Sequence, residues 1–64
     1  MVKVNGNEMD IAGMTVSELL EKEGYKPEKV AVELDLEIVP KALYGSCILK
    51  DGSSVEVVSF VGGG

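Results

Sequence analysis

Histidine and arginine are absent from this sequence, and cysteine occurs once, as Cys47. Because histidine is the usual general base near neutral pH, its absence excludes the Ser-His and Cys-His nucleophile pairs and removes the commonest metal ligand. A single cysteine cannot form an intramolecular disulfide, and so small a domain without one favours a reducing compartment. We therefore expect a protein that is not itself an enzyme.

Positive charge is also scarce. The chain has 64 residues, with 11 Asp and Glu against 6 Lys, and carries a formal charge of -5. Such a chain repels phosphate backbones and anionic lipid headgroups, so neither nucleic acid nor a membrane is expected as a partner. No apolar run approaches the ~20 residues needed to span a bilayer, and the first residues lack an apolar signal segment. These features favour the cytoplasm.

The order of apolar residues in the first part of the chain predicts a hairpin and a helix. Two valines alternate with polar residues before Asn5-Gly6, a pair that tolerates the positive φ of a tight turn. Thr15 and Glu18 have the spacing of a helix capping box, and apolar residues then recur at helical intervals until Gly24.

The second part of the chain predicts further strands. Residues 30–34 alternate as a valine-rich strand, and Pro40 then favours a single helical turn. A short strand is expected at residues 48–49, and a last strand over residues 55–58.

Together these elements predict an α+β roll, in which one helix packs across a mixed sheet of four to five strands. We expect residues 1–61 to form this domain and residues 62–64 to be a flexible tail, mobile in the free protein because glycine offers no side chain to pack. The predicted core consists of Val2, Val4, Ile11, Leu19, Leu20, Val30, Val32, Leu34, Leu49, Val55 and Val57.

Residues outside the tail give weak signals for chemistry. Cys47 adjoins an apolar stretch and has only Lys50 as a cationic neighbour, so we interpret it as a small half-buried apolar residue rather than a reactive thiol. The acidic residues lack the spacing of a calcium loop and are interpreted as a solvated face, so no metal site is expected. The internal glycines lie in turn sequences, because no phosphate-binding glycine motif occurs.

The sequence ends with Val61, Gly62, Gly63 and Gly64. A carboxylate joined to AMP becomes an activated acyl group that a sulfur or nitrogen nucleophile can attack, and in that reaction the protein would be the substrate. Glycine would let the chain enter a narrow slot of an activating enzyme, and four residues reach roughly 13 to 14 Å when extended. The alternative is that the glycines are an inert frayed end.

The last strand also predicts a surface for a partner. If Val55 and Val57 face the helix, then Glu56 and Val58 face outward, and Phe60 follows on the same side. Exposed apolar side chains beside a reactive terminus indicate binding. We call Glu56, Val58, Phe60 and Val61 the partner surface. The alternative is that a loop covers Phe60 and makes it part of the core.

Several stretches resemble the ThiS family of sulfur carriers in thiamine biosynthesis, which belongs to the ubiquitin-like β-grasp group. They are "VNG" in the hairpin, "TVSELL" in the helix, "VAVEL" and "EIVPK" in the middle, and "DGSSVEVVSFVGGG" at the end. The resemblance covers essentially the whole chain and implies a β-grasp fold.

The resemblance also implies a set of partners. A ThiF-type adenylyltransferase would use ATP to activate the carboxylate of Gly64, a cysteine desulfurase relay would supply the sulfur of a thiocarboxylate, and a ThiG-type thiazole synthase would receive it. No cofactor is expected on this chain itself. Two alternatives stay open: a β-grasp carrier for molybdopterin or sulfur amino-acid synthesis, and a ubiquitin-like interaction module with an inert tail.

Overall fold

The computed structural model describes residues 1–60, which form a five-stranded sheet and one α-helix. The strands are β1 (Val2–Val4), β2 (Asn7–Met9), β3 (Val30–Leu34), β4 (Glu37–Ile38) and β5 (Ser54–Ser59), and the helix α1 spans Val16–Glu23. Short 3₁₀ turns occupy Pro27–Lys29 and Lys41–Leu43. The sheet order is β2-β1-β5-β3-β4, so the last strand lies at the centre of the sheet.

Local sequence accounts for the first hairpin and for both ends of the helix. Asn5 and Gly6 join β1 to β2 with φ values of 50° and 86°. The Thr15 hydroxyl accepts a hydrogen bond from the backbone N–H of Glu18 at 3.1 Å, and the Glu18 carboxylate accepts one from the backbone N–H of Thr15 at 2.8 Å. Gly24 ends the helix with φ 82°. The predicted turn, capping box and helix end are confirmed.

Strand β5 lies between β1 and β3 and pairs with both. Strand β1 runs parallel to β5, and β3 runs antiparallel to it from Val30↔Ser59 to Leu34↔Val55. The helix covers one face of the sheet and buries Val16, Leu19 and Leu20 completely. We call the opposite face the outer face.

The predicted core is confirmed with one exception. Leu34 is half-buried and packs against the core instead of lying within it. Val16, Val39 and Tyr44 were not predicted and complete the core. The buried apolar residues are Val2, Val4, Ile11, Val16, Leu19, Leu20, Val30, Val32, Val39, Tyr44, Leu49, Val55 and Val57.

The strand predicted at residues 48–49 is wrong. This segment pairs with the loop before α1 instead of joining the sheet: Ile48 forms one isolated bridge with Thr15, and the backbone N–H of Leu49 donates to the carbonyl oxygen of Met14 at 2.7 Å. The strand that completes the five-stranded sheet is instead β4, whose two residues pair with the end of β3.

The helical turn predicted at Pro40 is confirmed as the 3₁₀ turn Lys41–Leu43. No helix within residues 1–60 is long and apolar enough to cross a membrane.

Candidate functional site

Strand β5 carries the described part of the partner surface. Val55 and Val57 are buried against the helix side, whereas Glu56 is exposed and Val58 keeps 53% of its surface exposed. Phe60, the residue after β5, is 52% exposed. The three side chains are therefore exposed, as the alternation predicts, and no loop within residues 1–60 covers Phe60. Binding of a partner by these side chains stays a prediction.

Phe60 is held in place by contacts on two sides. Its backbone N–H donates a hydrogen bond to the carbonyl oxygen of Lys29 at 3.0 Å. The Lys41 ammonium group lies over its ring, 5.4 Å from the centre, which is within cation–π distance. The same ammonium donates to the carbonyl oxygens of Pro27 at 3.0 Å and Val30 at 3.2 Å. Lys41 thus connects the start of β3 to Phe60, the last residue that the structure describes.

Asn5 supports the other edge of β5. Strand β1 pairs with β5 only as far as Val55, and the side chain of Asn5 continues the pairing by one step. Its amide oxygen accepts a hydrogen bond from the backbone N–H of Val57 at 2.8 Å, and its amide nitrogen donates to the Val57 carbonyl oxygen at 3.3 Å. The strand that leads to the tail is therefore hydrogen-bonded along both edges.

The outer face beside β5 combines acidic and apolar side chains. Glu33 of β3 lies directly opposite Glu56, and Ala31 lies opposite Val58. Ile38 of β4 lies opposite Glu33 and is 72% exposed. Like charges placed opposite each other across strands are unfavourable, so we expect this pair to lower the stability of the free protein. Such a face suits a partner with basic and apolar groups.

Glu33, Ile38 and Lys41 are neighbours of the partner surface that the sequence pattern did not identify. The alternation of residues 30–34 was sufficient to place Glu33 outward, but its position opposite Glu56 depends on the register between β3 and β5. Lys41 lies 19 positions before Phe60 in the sequence, and no local pattern links the two residues.

Val61 and the glycines 62–64 lie outside the described residues, so the predicted tail mobility and the role of Gly64 stay predictions.

Cys47 is half-buried and packs against the core, in agreement with its interpretation as a small apolar residue. Within residues 1–60, no group of histidine, cysteine and acidic residues could hold a metal ion.

The amino group of Met1 donates a hydrogen bond to the carboxylate of Asp51, and this bond raises the pKa of the amino group above its ordinary value. Asp51 precedes β5, so the pair lies at the end of the strand opposite to Phe60. The amine therefore lies at the far end of β5 from Phe60, the last described residue of the partner surface.

The sheet, with β1 and β5 parallel at its centre and one helix across a face, defines an α+β domain of the β-grasp class. The crystal structure of the thiamine biosynthesis protein ThiS from Geobacter metallireducens has this fold, with a TM-score of 0.79 and 34% identity over 98% of this chain and 97% of that one. Residues 2–64 match the ThiS family. The chain belongs to the ThiS family.

Similarity to longer proteins was also found. The chain is 48% identical over 62 residues to a thiazole synthase from Paramagnetospirillum magneticum, covering 95% of this chain and 19% of that protein. It is 45% identical over 53 residues to a thiazole synthase from Magnetococcus marinus, covering 83% of this chain and 16% of that protein. The chain therefore spans less than a fifth of the length of these two relatives.

A third relative is of similar length. The chain is 33% identical over 64 residues to the protein ycf40 from Pyropia yezoensis, covering 98% of this chain and 90% of that protein.

Proposed function

We propose that this protein is a sulfur carrier of thiamine biosynthesis. Membership of the ThiS family supports the carrier role. The observation that carries the proposal is the central strand β5, which exposes Val58 and is followed by the exposed Phe60, two residues before the glycines 62–64. A rigid body, an exposed binding surface and a tail without side chains are the features that a carrier needs.

The chemistry of the proposal takes place at the carboxylate of Gly64, the last residue of the sequence. The carboxylate attacks the α-phosphate of ATP and releases pyrophosphate, which gives an acyl-adenylate. A sulfur nucleophile then attacks the acyl carbon and displaces AMP. With hydrosulfide as the nucleophile, one proton is released and the product is the thiocarboxylate. The proposal requires a free carboxylate on Gly64.

In this scheme, residues of this chain bind the activating enzyme and hold strand β5 in position. The partner surface docks on a ThiF-type adenylyltransferase, which binds the ATP, and the contacts of Lys41 and Asn5 fix β5, the strand that precedes the tail in the sequence. A near-attack geometry must be held to well below the length of one residue, so a fixed starting point for the tail is useful.

Thiazole synthase is the proposed sulfur acceptor, and a cysteine desulfurase relay is the proposed sulfur source. Two proteins named thiazole synthase contain a region similar to this chain, which supports a functional association between the two. The same similarity favours the thiazole pathway over molybdopterin or sulfur amino-acid synthesis.

The experiment is AMP transfer by a ThiF-type adenylyltransferase, followed as ATP-pyrophosphate exchange, with three forms of the chain. The wild type should be activated. Deletion of Gly64 moves the carboxyl carbon by about 3.3 to 3.6 Å, and Gly64→Ala adds a Cβ, so both should lose on the order of 100-fold or more in rate. Equal rates for the wild type and the deletion would show that the glycines are an inert end.

A further inference from the structure

The turn between β3 and β4 holds a leucine in an unfavourable backbone conformation. Asp35 and Leu36 are the two central residues of this hairpin turn, with φ values of 51° and 72°. A bulky residue at positive φ is an outlier, and turns of this type favour Asn-Gly or Asp-Gly. Glycine at position 36 would fit the turn better than leucine.

Packing does not compensate for this conformation. Leu36 is 91% exposed, the highest value among the large apolar residues that the structure describes. Ile38, two residues later, is 72% exposed. We call Leu36 and Ile38 the edge patch. It places two large apolar side chains largely in water at one edge of the sheet.

The edge patch is continuous with the partner surface. Leu36 borders a cleft of about 160 Å³ that Glu33 and Glu56 also line. Ile38 lies opposite Glu33, which in turn lies opposite Glu56. A single partner on the outer face could therefore contact the edge patch and Phe60 together, at opposite ends of β3.

Charge around the edge patch restricts the kind of partner. Three carboxylates lie near it: Asp35 precedes Leu36 in the turn, and Glu33 and Glu56 line the same cleft as Leu36. A second copy of the chain would bring the same carboxylates together, and each chain already has a formal charge of -5. The surroundings instead suit a different protein, with an apolar pocket bordered by Lys or Arg side chains.

We propose that Leu36 and Ile38 form a second docking contact for the activating adenylyltransferase, with Leu36 inserted into an apolar pocket that has a basic rim. The inference rests on the proposed function and extends it. Contacts at both ends of β3, roughly 15 to 20 Å apart, fix the orientation of the carrier on the enzyme better than Phe60 alone. Leu36 is a positioning residue in this scheme, since it touches neither ATP nor the acyl carbon.

The test uses the opposite effects that the proposal predicts for stability and binding. Leu36→Gly and Leu36→Asn relieve the left-handed backbone, so each should raise the Tm by a few degrees. Both remove the inserted side chain, so each should raise the KM for the carrier in ATP-pyrophosphate exchange about five- to thirtyfold, with kcat little changed. Leu36→Met keeps an apolar side chain and serves as the matched control with near wild-type KM.

The salt dependence of binding is a second measurement. Attraction between a basic rim on the enzyme and the carboxylates near the edge patch is screened by salt, so the KM for the wild-type carrier should rise with ionic strength. Unchanged KM for Leu36→Gly and Leu36→Asn, with a wild type that is activated normally, would overturn the edge patch as a contact. If the wild type formed concentration-dependent dimers and Leu36→Gly did not, a second copy of the chain would be the occupant of the edge patch. That result would also overturn the proposed contact with the adenylyltransferase. A wild type that no ThiF-type enzyme activates would instead refute the proposed function.

Discussion

Replacing Lys41 by methionine removes an ammonium group that has three contacts but keeps the length of the side chain. The lost contacts are the hydrogen bonds to the carbonyl oxygens of Pro27 and Val30, at 3.0 and 3.2 Å, and the cation–π contact with Phe60 at 5.4 Å. An exposed cation–π contact contributes about 0.5 to 1 kcal/mol, and the part-buried hydrogen bond to Val30 about 0.5 to 1.5 kcal/mol. Lys41→Met should therefore lower the free energy of unfolding by about 1 to 2.5 kcal/mol.

Urea denaturation of a double-mutant cycle with Phe60→Leu isolates the ring contact. The coupling free energy between the two substitutions should be about 0.5 to 1 kcal/mol, because both remove the same cation–π pair. Lys41→Arg should restore most of the stability, since guanidinium also stacks on aromatic rings. Additive effects in the cycle would refute the contact between Lys41 and Phe60 and leave Lys41 with a role at the two carbonyl groups alone.

Three further substitutions test the partner surface and the strand that carries it. Phe60→Ser should cost about 1 to 2 kcal/mol of stability, because it removes a half-buried ring and its cation–π contact. It should also slow adenylation, and an unaltered rate would count against the partner surface. Asn5→Ala removes both side-chain hydrogen bonds to Val57 and puts alanine at positive φ, so it should lower the free energy of unfolding in urea by about 2 to 3 kcal/mol. A loss below ~0.5 kcal/mol would contradict the role of Asn5 in supporting β5. Glu56→Gln removes the repulsion from Glu33 and should add a few tenths of a kcal/mol at low salt, with the gain fading at 1 M salt; a destabilised variant would show that the carboxylates do not repel.

Local features of the fold followed from the sequence because each depends on neighbouring residues. The Asn5-Gly6 turn, the capping box of Thr15 and Glu18, and the end of α1 at Gly24 all involve contacts within a few positions. The alternation in β5 likewise gave the exposure of Val58 and Phe60, since successive side chains on a strand point to opposite faces.

Features that depend on pairing between segments far apart in the chain could not be predicted from the sequence. Residues 48–49 have the apolar character of a strand, but their hydrogen bonds go to the loop before α1, which no periodicity in the segment reveals. The pair Glu33 and Glu56 exists only because β3 and β5 adopt one register. The positive φ of Leu36 follows from a two-residue turn between β3 and β4, although the residue type itself argues against such a turn.

The chemical claim about Gly64 rests on family membership and on the sequence of the tail, whereas the docking surface rests on described residues. The two parts can fail separately. A chain with an intact partner surface and a blocked carboxylate should bind the activating enzyme and remain unmodified.

The most direct test of the carrier role is the intact mass of the chain after incubation with a ThiF-type adenylyltransferase, ATP and inorganic sulfide. The wild type should gain ~16 Da, from replacement of oxygen by sulfur at the acyl carbon of Gly64, and the chain that lacks Gly64 should not. Fragmentation should place the added mass on the last residue. A wild-type chain of unchanged mass, under conditions where the enzyme converts a known ThiS protein, would contradict the claim that this protein carries sulfur.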